Sequence, residues 1–233
     1  MAYHRYTVHD INQPAESLGV YWRLSLFASP IAMAIGYALH AIADSSPWLS
    51  ISSVPVSTPI VYILLGNLTS SHLWRCSVAR RLLGITTPNI NGVWQAGVDK
   101  SLAGEQQSQT GTFSIEQTWR TISIVLSTAE STSRSTSAAL IVDAGVVRLE
   151  HQYFATRINR PGSDFKCHQG AAFVDFPLDN CDKADHLTLS YFTETGEFGV
   201  VTLIRKPDTI QPDCMLRFCR LLRNEYERFF RKP

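Results

Sequence analysis

The chain has 233 residues, enough for one medium domain and an appendage, and its 21 Lys and Arg against 20 Asp and Glu leave a net charge of +1. No global field gathers polyanions, so DNA and RNA are not expected partners. Five cysteines, at 76, 167, 181, 214 and 219, are odd in number and include no C-x-x-C pair, which fits free thiols in a reduced compartment better than a disulfide framework.

Residues 1–20 read as a cytoplasmic N-terminal segment. Behind it, residues 24–43, LSLFASPIAMAIGYALHAIA, contain no Asp, Glu, Lys or Arg. At about 1.5 Å per residue a helix of this length crosses a hydrocarbon core of about 30 Å. Trp22 and Arg23 stand at its start, where an interfacial aromatic and a snorkelling cation belong. Ala28, Ala32 and Gly36 recur at four-residue spacing and would let another helix approach closely.

A second uncharged run extends from Ser45 to Trp74, most apolar between Trp48 and Leu68. Pro55 and Pro59 would break a lone soluble helix, whereas helix neighbours in a membrane re-satisfy the freed carbonyls. The link ADSSP (43–47) is short enough only for an antiparallel hairpin, so 21–70 is expected to cross twice. Arg5 and Arg23 precede the first span, Arg75, Arg80 and Arg81 follow the second, and the link has no Lys or Arg. The positive-inside rule then leaves both chain ends cytoplasmic. The alternative, a buried helical hairpin in a soluble protein, would show the polar stripe that these runs lack. A signal peptide would have a shorter apolar core and no second run.

Residues 71–88 form a juxtamembrane linker, and from 89 to 206 the apolar positions alternate. Gly92, Trp94, Ala96 and Val98 interleave with polar residues, and TFSIEQTWRTISIVLST (112–128) is too long for one straight strand. Further strands are expected at 135–143, 146–157, 170–176, 186–193 and 198–205, joined by the turn-like DAG, NRPGSD, PLDNCD and ETGE. No helix-period segment separates them, so the neighbours are antiparallel, and closure into a barrel removes the exposed edges; an open sandwich is the alternative. Residues 207–233 return to helical spacing. Between 213 and 233 six Lys and Arg face three acids, as suits a helix packed on the barrel or lying on anionic lipid. The expected fold is therefore a membrane-anchored all-β protein: two N-terminal transmembrane helices, a small antiparallel barrel of about eight strands, and a C-terminal helix.

The chain carries no G-x-S-x-G, H-E-x-x-H or Walker loop, so no catalytic residue, metal or cofactor is expected. His168 reads as an ordinary strand histidine. Strand parity suggests a binding site instead. Arg120 falls on the face of Ile122, Ile124 and Leu126; His151, Tyr153 and Arg157 share the face of Leu149; Tyr191 and Thr193 follow Leu187 and Leu189; Arg205 follows Val201 and Leu203. Arg120, Tyr153, Arg157, Tyr191, Thr193 and Arg205 are the candidate ligand-binding residues. Arginines suit phosphate through charge-assisted hydrogen bonds, and aromatic rings suit bases through stacking.

Two uncharged spans, an Arg-containing linker, TPNINGVWQAGV (87–98), QTWRTISIVLST (117–128) and Y-F-T-x-T-G (191–196) occur in that order. Together they resemble the two-transmembrane, β-strand-rich effectors associated with CD-NTases in bacterial cyclic-oligonucleotide anti-phage signalling (CBASS). The resemblance covers roughly residues 20–206 and does not extend to the C-terminal segment. It implies a non-enzymatic cytosolic barrel that binds a cyclic di- or oligonucleotide made by a partner CD-NTase cyclase. It further implies homo-oligomerisation on binding, disruption of the inner membrane by the gathered spans, and death of the infected cell. The alternative is a membrane-tethered barrel that holds a lipid or other small apolar ligand.

Overall fold

The structure, a computed structural model, describes residues 3–10, 16–44, 58–102, 105–157 and 167–206. Alternating side chains give nine strands: β1 (His4–Asp10), β2 (Gly92–Leu102), β3 (Glu105–Gln117), β4 (Thr121–Thr128), β5 (Ser131–Asp143), β6 (Val146–Arg157), β7 (Cys167–Pro177), β8 (His186–Thr193) and β9 (Phe198–Arg205). They close in the order β1-β4-β3-β2-β9-β8-β7-β6-β5, with β4 and β5 also paired. The interior is one apolar core that includes Trp94, Phe113, Ile124, Leu149 and Phe176. An open sandwich is thus excluded.

One feature sharpens the sequence expectation and a second departs from it. The long stretch 112–128 is two strands, because Thr118 to Arg120 form a tight turn. In it the Thr118 Oγ1 accepts from the backbone N–H of Arg120 at 3.2 Å and of Thr121 at 2.9 Å. The ninth strand comes from residues assigned to the N-terminal segment. β4 and β5 pair directly only from Val125↔Arg134 to Ser127↔Thr132. Beyond that point they splay, and β1 fills the gap, antiparallel to β4 (His4↔Ile122) and parallel to β5 (Tyr6↔Ala138 to Asp10↔Val142). The fork coincides with a register shift between Ser135 and Ser137. There the Ser135 Oγ accepts from the Ile124 N–H at 3.0 Å and bonds the His4 Nε2 at 2.7 Å, which satisfies groups that the splayed ladder leaves open.

The helical residues form a separate unit, while β1 groups with the barrel. It contains α1 (Glu16–Asp44), α2 (Thr58–Ser71), a 3₁₀ turn (Leu73–Arg75) and α3 (Ser77–Leu83). Ala28 and Ala32 are buried against Val61, Tyr62 and Leu65 of α2, whereas nothing lies within 4 Å of where a Cβ on Gly36 would stand. Glu16–Ala38 has a mean hydropathy of 1.4 with only 22 % buried, unlike the core helix of a soluble protein, and is the one described helix long and apolar enough to span a membrane. The expected second span lies partly outside the described residues. In its described part, Pro59 stands in the first turn of α2, where no intrahelical N–H is required. The C-terminal helix expected at 207–233 also lies outside the described residues.

One end of the barrel is sealed by the segments NINGVW and QTW. Gln117 is 1 % exposed. Its Oε1 accepts from the Ile90 N–H at 2.9 Å, and its Nε2 donates to the Tyr6 hydroxyl at 2.9 Å and the Pro88 carbonyl at 3.1 Å. Its backbone N–H donates to the Asn91 Oδ1 at 2.7 Å, and the Asn91 Nδ2 donates to the Gln117 carbonyl at 3.2 Å. Beside this lock Trp94 is fully buried against Phe113 and Phe176, and its indole N–H donates to the Ala184 carbonyl at 3.1 Å. Gly92 makes room for it, since a Cβ there would stand 2.5 Å from the Trp94 ring and 2.8 Å from the Arg205 guanidinium. Gly92→Ala should therefore destabilise the barrel by about 1–3 kcal/mol through overpacking. Gln117→Leu, which strands buried partners, should cost roughly 2–3 kcal/mol. Denaturant titration of the detergent-solubilised chain checks both; wild-type midpoints would refute this account of the closed end.

Candidate functional site

The opposite end is open. A cavity of about 110 Å³ lies among the ends of β4, β6 and β8 and the starts of β5, β7 and β9. That is far larger than the voids left by ordinary packing. Its wall is mostly aromatic and aliphatic. Phe113 and His151 have ring centroids 6.5 Å apart, His151 and Tyr153 6.2 Å, and Tyr153 and His168 6.3 Å, forming a column of rings within it.

Cross-strand glycines set the two tyrosines. Tyr153 pairs with Gly170 and Tyr191 with Gly199. A Cβ on Gly170 would lie 2.5 Å from the Tyr153 ring, and one on Gly199 would lie 2.4 Å from the Tyr191 hydroxyl. Each ring thus lies over a strand position that only glycine leaves open. Burial, reinforced by Tyr191 and Glu197, pushes the Tyr153 hydroxyl up to about 12; burial and Glu197 also raise Tyr191. Both remain neutral donors at physiological pH.

Thr193 completes this wall. Its N–H donates to the Glu197 carbonyl at 2.9 Å, its Oγ1 accepts from the Glu197 N–H at 3.2 Å and pairs with the Thr195 Oγ1 at 2.7 Å, and Gly196 takes a positive φ of 82°. The Y-F-T-x-T-G stretch is therefore the β8–β9 turn with Tyr191 and Thr193 turned into the cavity.

Of the six candidate residues, the cavity brings together Tyr153, Tyr191 and Thr193. Arg157 ends β6 opposite Ser131, itself a lining residue, and its side chain lies outside what the structure describes. Arg120 and Arg205 lie away from this cavity. Arg120 is exposed in the β3–β4 turn at the sealed end, because strand parity stops at that turn. Arg205 faces inward as parity requires, but at the sealed end, where its guanidinium lies 5.1 Å from the Trp94 ring and donates to the Asn91 carbonyl at 3.0 Å. Trp94 plugs the closed end and does not line the cavity. Phe113, Glu197 and the paired glycines were missed; only the strand register identifies them.

His151, 7 % exposed, has its pKa lowered to about 4, first by burial and then by His4. The unfolded chain takes up this proton near pH 6.5 and the folded chain only near pH 4. The contribution is complete above about pH 6.5 and is lost as pH falls through that window. Unfolding free energy should drop on the order of 3 kcal/mol more between pH 6.5 and 4 in the wild type than in His151→Phe. Identical pH profiles would mean that His151 is not a buried neutral group.

Residues 85–205, which run from the end of the helical unit through β9, match the family described as Cap15, cyclic dinucleotide receptor domain. No curated protein matches the chain. The matched stretch is more than half of the 233 residues and contains the whole cavity wall, so the chain belongs to the Cap15 family of cyclic dinucleotide receptors, a family of CBASS effectors.

Proposed function

We propose that the open end of the barrel binds a cyclic dinucleotide, with the bases on Tyr153 and Tyr191, Thr193 as a hydrogen-bonding side chain, and Arg157 at the rim for a phosphate. The observation that carries this is the glycine-seated pair of tyrosines in a cavity within the receptor-domain match. Stacking on fixed rings and a charge-assisted phosphate contact are how such ligands are held.

Around that site we place a non-enzymatic effector in the bacterial inner membrane, with both chain ends cytoplasmic. Its ligand comes from a CD-NTase cyclase; binding gathers copies of the chain, and the gathered spans disrupt the bilayer and kill the cell. A topological constraint supports two spans. β1 and β2 belong to one closed barrel, so residues 10 and 92 lie on one side of any bilayer. A segment that leaves and returns to one side crosses an even number of times. A crossing by α1 therefore requires a second.

A second reading, an apolar or lipid ligand, is favoured by the wall itself. Among the described lining residues there is no Arg or Lys, and Glu197 is the one carboxylate. Calorimetry on the full chain in detergent with a panel of cyclic di- and oligonucleotides separates the two. Binding supports the nucleotide; no binding, with lipid retained in native mass spectrometry, supports the apolar ligand.

Tyr153→Ala and Tyr191→Ala should each weaken nucleotide binding about tenfold or more, since a stacked base is worth roughly 1–3 kcal/mol. Gly199→Ala should do the same by displacing the Tyr191 ring. Arg157→Ala should weaken binding through loss of a contact worth roughly 1.5–3 kcal/mol, and Arg120→Ala should leave affinity unchanged. A larger effect at Arg120 than at the tyrosines would place the ligand elsewhere.

A further inference from the structure

Stacking surfaces accept any base, because every base has a flat face. Discrimination needs a donor or acceptor aimed at a base edge, held where it does not simply bond water. His151 meets that description. It lies two residues further along β6 from the rim than Tyr153, lines the cavity, and is 7 % exposed between Phe113 and Tyr153. Yet its Nδ1 is buried with no hydrogen-bond partner among the described residues. Buried side-chain nitrogens nearly always have one, so an unpartnered nitrogen on a ring that lines a cavity calls for a partner from outside the chain.

The protonation state suits the task. With its pKa lowered to about 4, the ring is a neutral imidazole at physiological pH, carrying one N–H donor and one acceptor. A neutral ring matches the uncharged edge of a base; a cation would seek phosphate instead. The Thr193 Oγ1 is already engaged by the Glu197 N–H and the Thr195 hydroxyl, and Tyr153 and Tyr191 offer their ring faces for stacking, so neither replaces the unpartnered ring nitrogen.

Resting on the cavity as the cyclic dinucleotide site, we propose that His151 is its specificity-determining residue, hydrogen-bonding the edge of the base that enters deepest. The ligand supplies the partner that the fold withholds.

The test uses the full chain in detergent and calorimetry with cyclic di-AMP, cyclic di-GMP, cyclic GMP–AMP and cyclic UMP–AMP. His151→Phe keeps a ring of similar shape and removes both nitrogens. It should weaken binding of the preferred nucleotide about tenfold and bring the four affinities to within about threefold of one another. His151→Asn and His151→Gln place an amide at the two nitrogen positions, and one of them should restore the wild-type ranking. His151→Leu takes the place of His151→Phe if the latter does not fold. Wild-type affinity and ranking in a folded apolar variant would overturn the inference while leaving the site intact. No binding of any of the four by the wild type would overturn the site and the inference together.

Discussion

The insertion of β1 between β4 and β5 constrains the rest of the molecule. A seven-residue strand placed before the apolar helices completes a barrel whose other eight strands follow them. Closure can then occur only when both sides of the helical segment share one compartment. β1 also begins at the fork, where His4 and Ser135 meet, and ends at Asp10 beside Val142, near the sealed end. β2 begins at that same end with Gly92 and Trp94. Both chain links to the helical unit therefore leave the barrel away from the cavity. Leu126 and Ser133 line the cavity and pair across β4 and β5 one position beyond Val125↔Arg134, where the two strands begin to part.

The two barrel ends divide their work by chemistry. At the sealed end a set of buried polar groups is committed within the chain: Gln117 to Ile90, Tyr6 and Pro88, Asn91 to Gln117, the Trp94 indole to Ala184. Such a network is rigid because losing any member strands a buried partner. At the open end hydroxyls, imidazoles and a carboxylate lie among rings, two of them seated on glycine. A floor that does not yield and a wall set by tyrosine on glycine amount to preorganisation, which lowers the ordering cost of binding.

Most of the barrel was legible because its period is two: β6, β8 and β9 lie where alternation placed them, while β5 begins earlier and β7 extends at both ends. The segments NGVW and QTW, which carried the resemblance, proved to contact each other at the sealed end, through Asn91 and Gln117. What parity could not supply was height along the barrel axis. It gave the correct face for both Tyr191 and Arg205, yet one lies at the open end and the other at the sealed end. Nor could it cross a turn, as at Arg120. β1 escaped notice because HRYTVHD is short, half polar on its inward face, and separated in sequence from every strand it joins. Its pairing is non-local, and no local pattern encodes a partner more than a hundred residues away.

The helical unit adds a constraint on the output. Ala28 and Ala32, the small residues best suited to close helix contact, are already occupied by Val61 of the same chain. In lipid, helices associate through close packing and interhelical hydrogen bonds, because tails solvate apolar side chains as well as another helix does. The exposed surface of α1 mixes the bulky Leu26, Met33 and Tyr37 with the small Ser29, Ala34 and Ala38, and that of α2 carries Ile63 and Leu64. Under the proposed function, gathering the barrels raises the effective concentration of the helices tethered to them, so association in the membrane need not come from the helices alone.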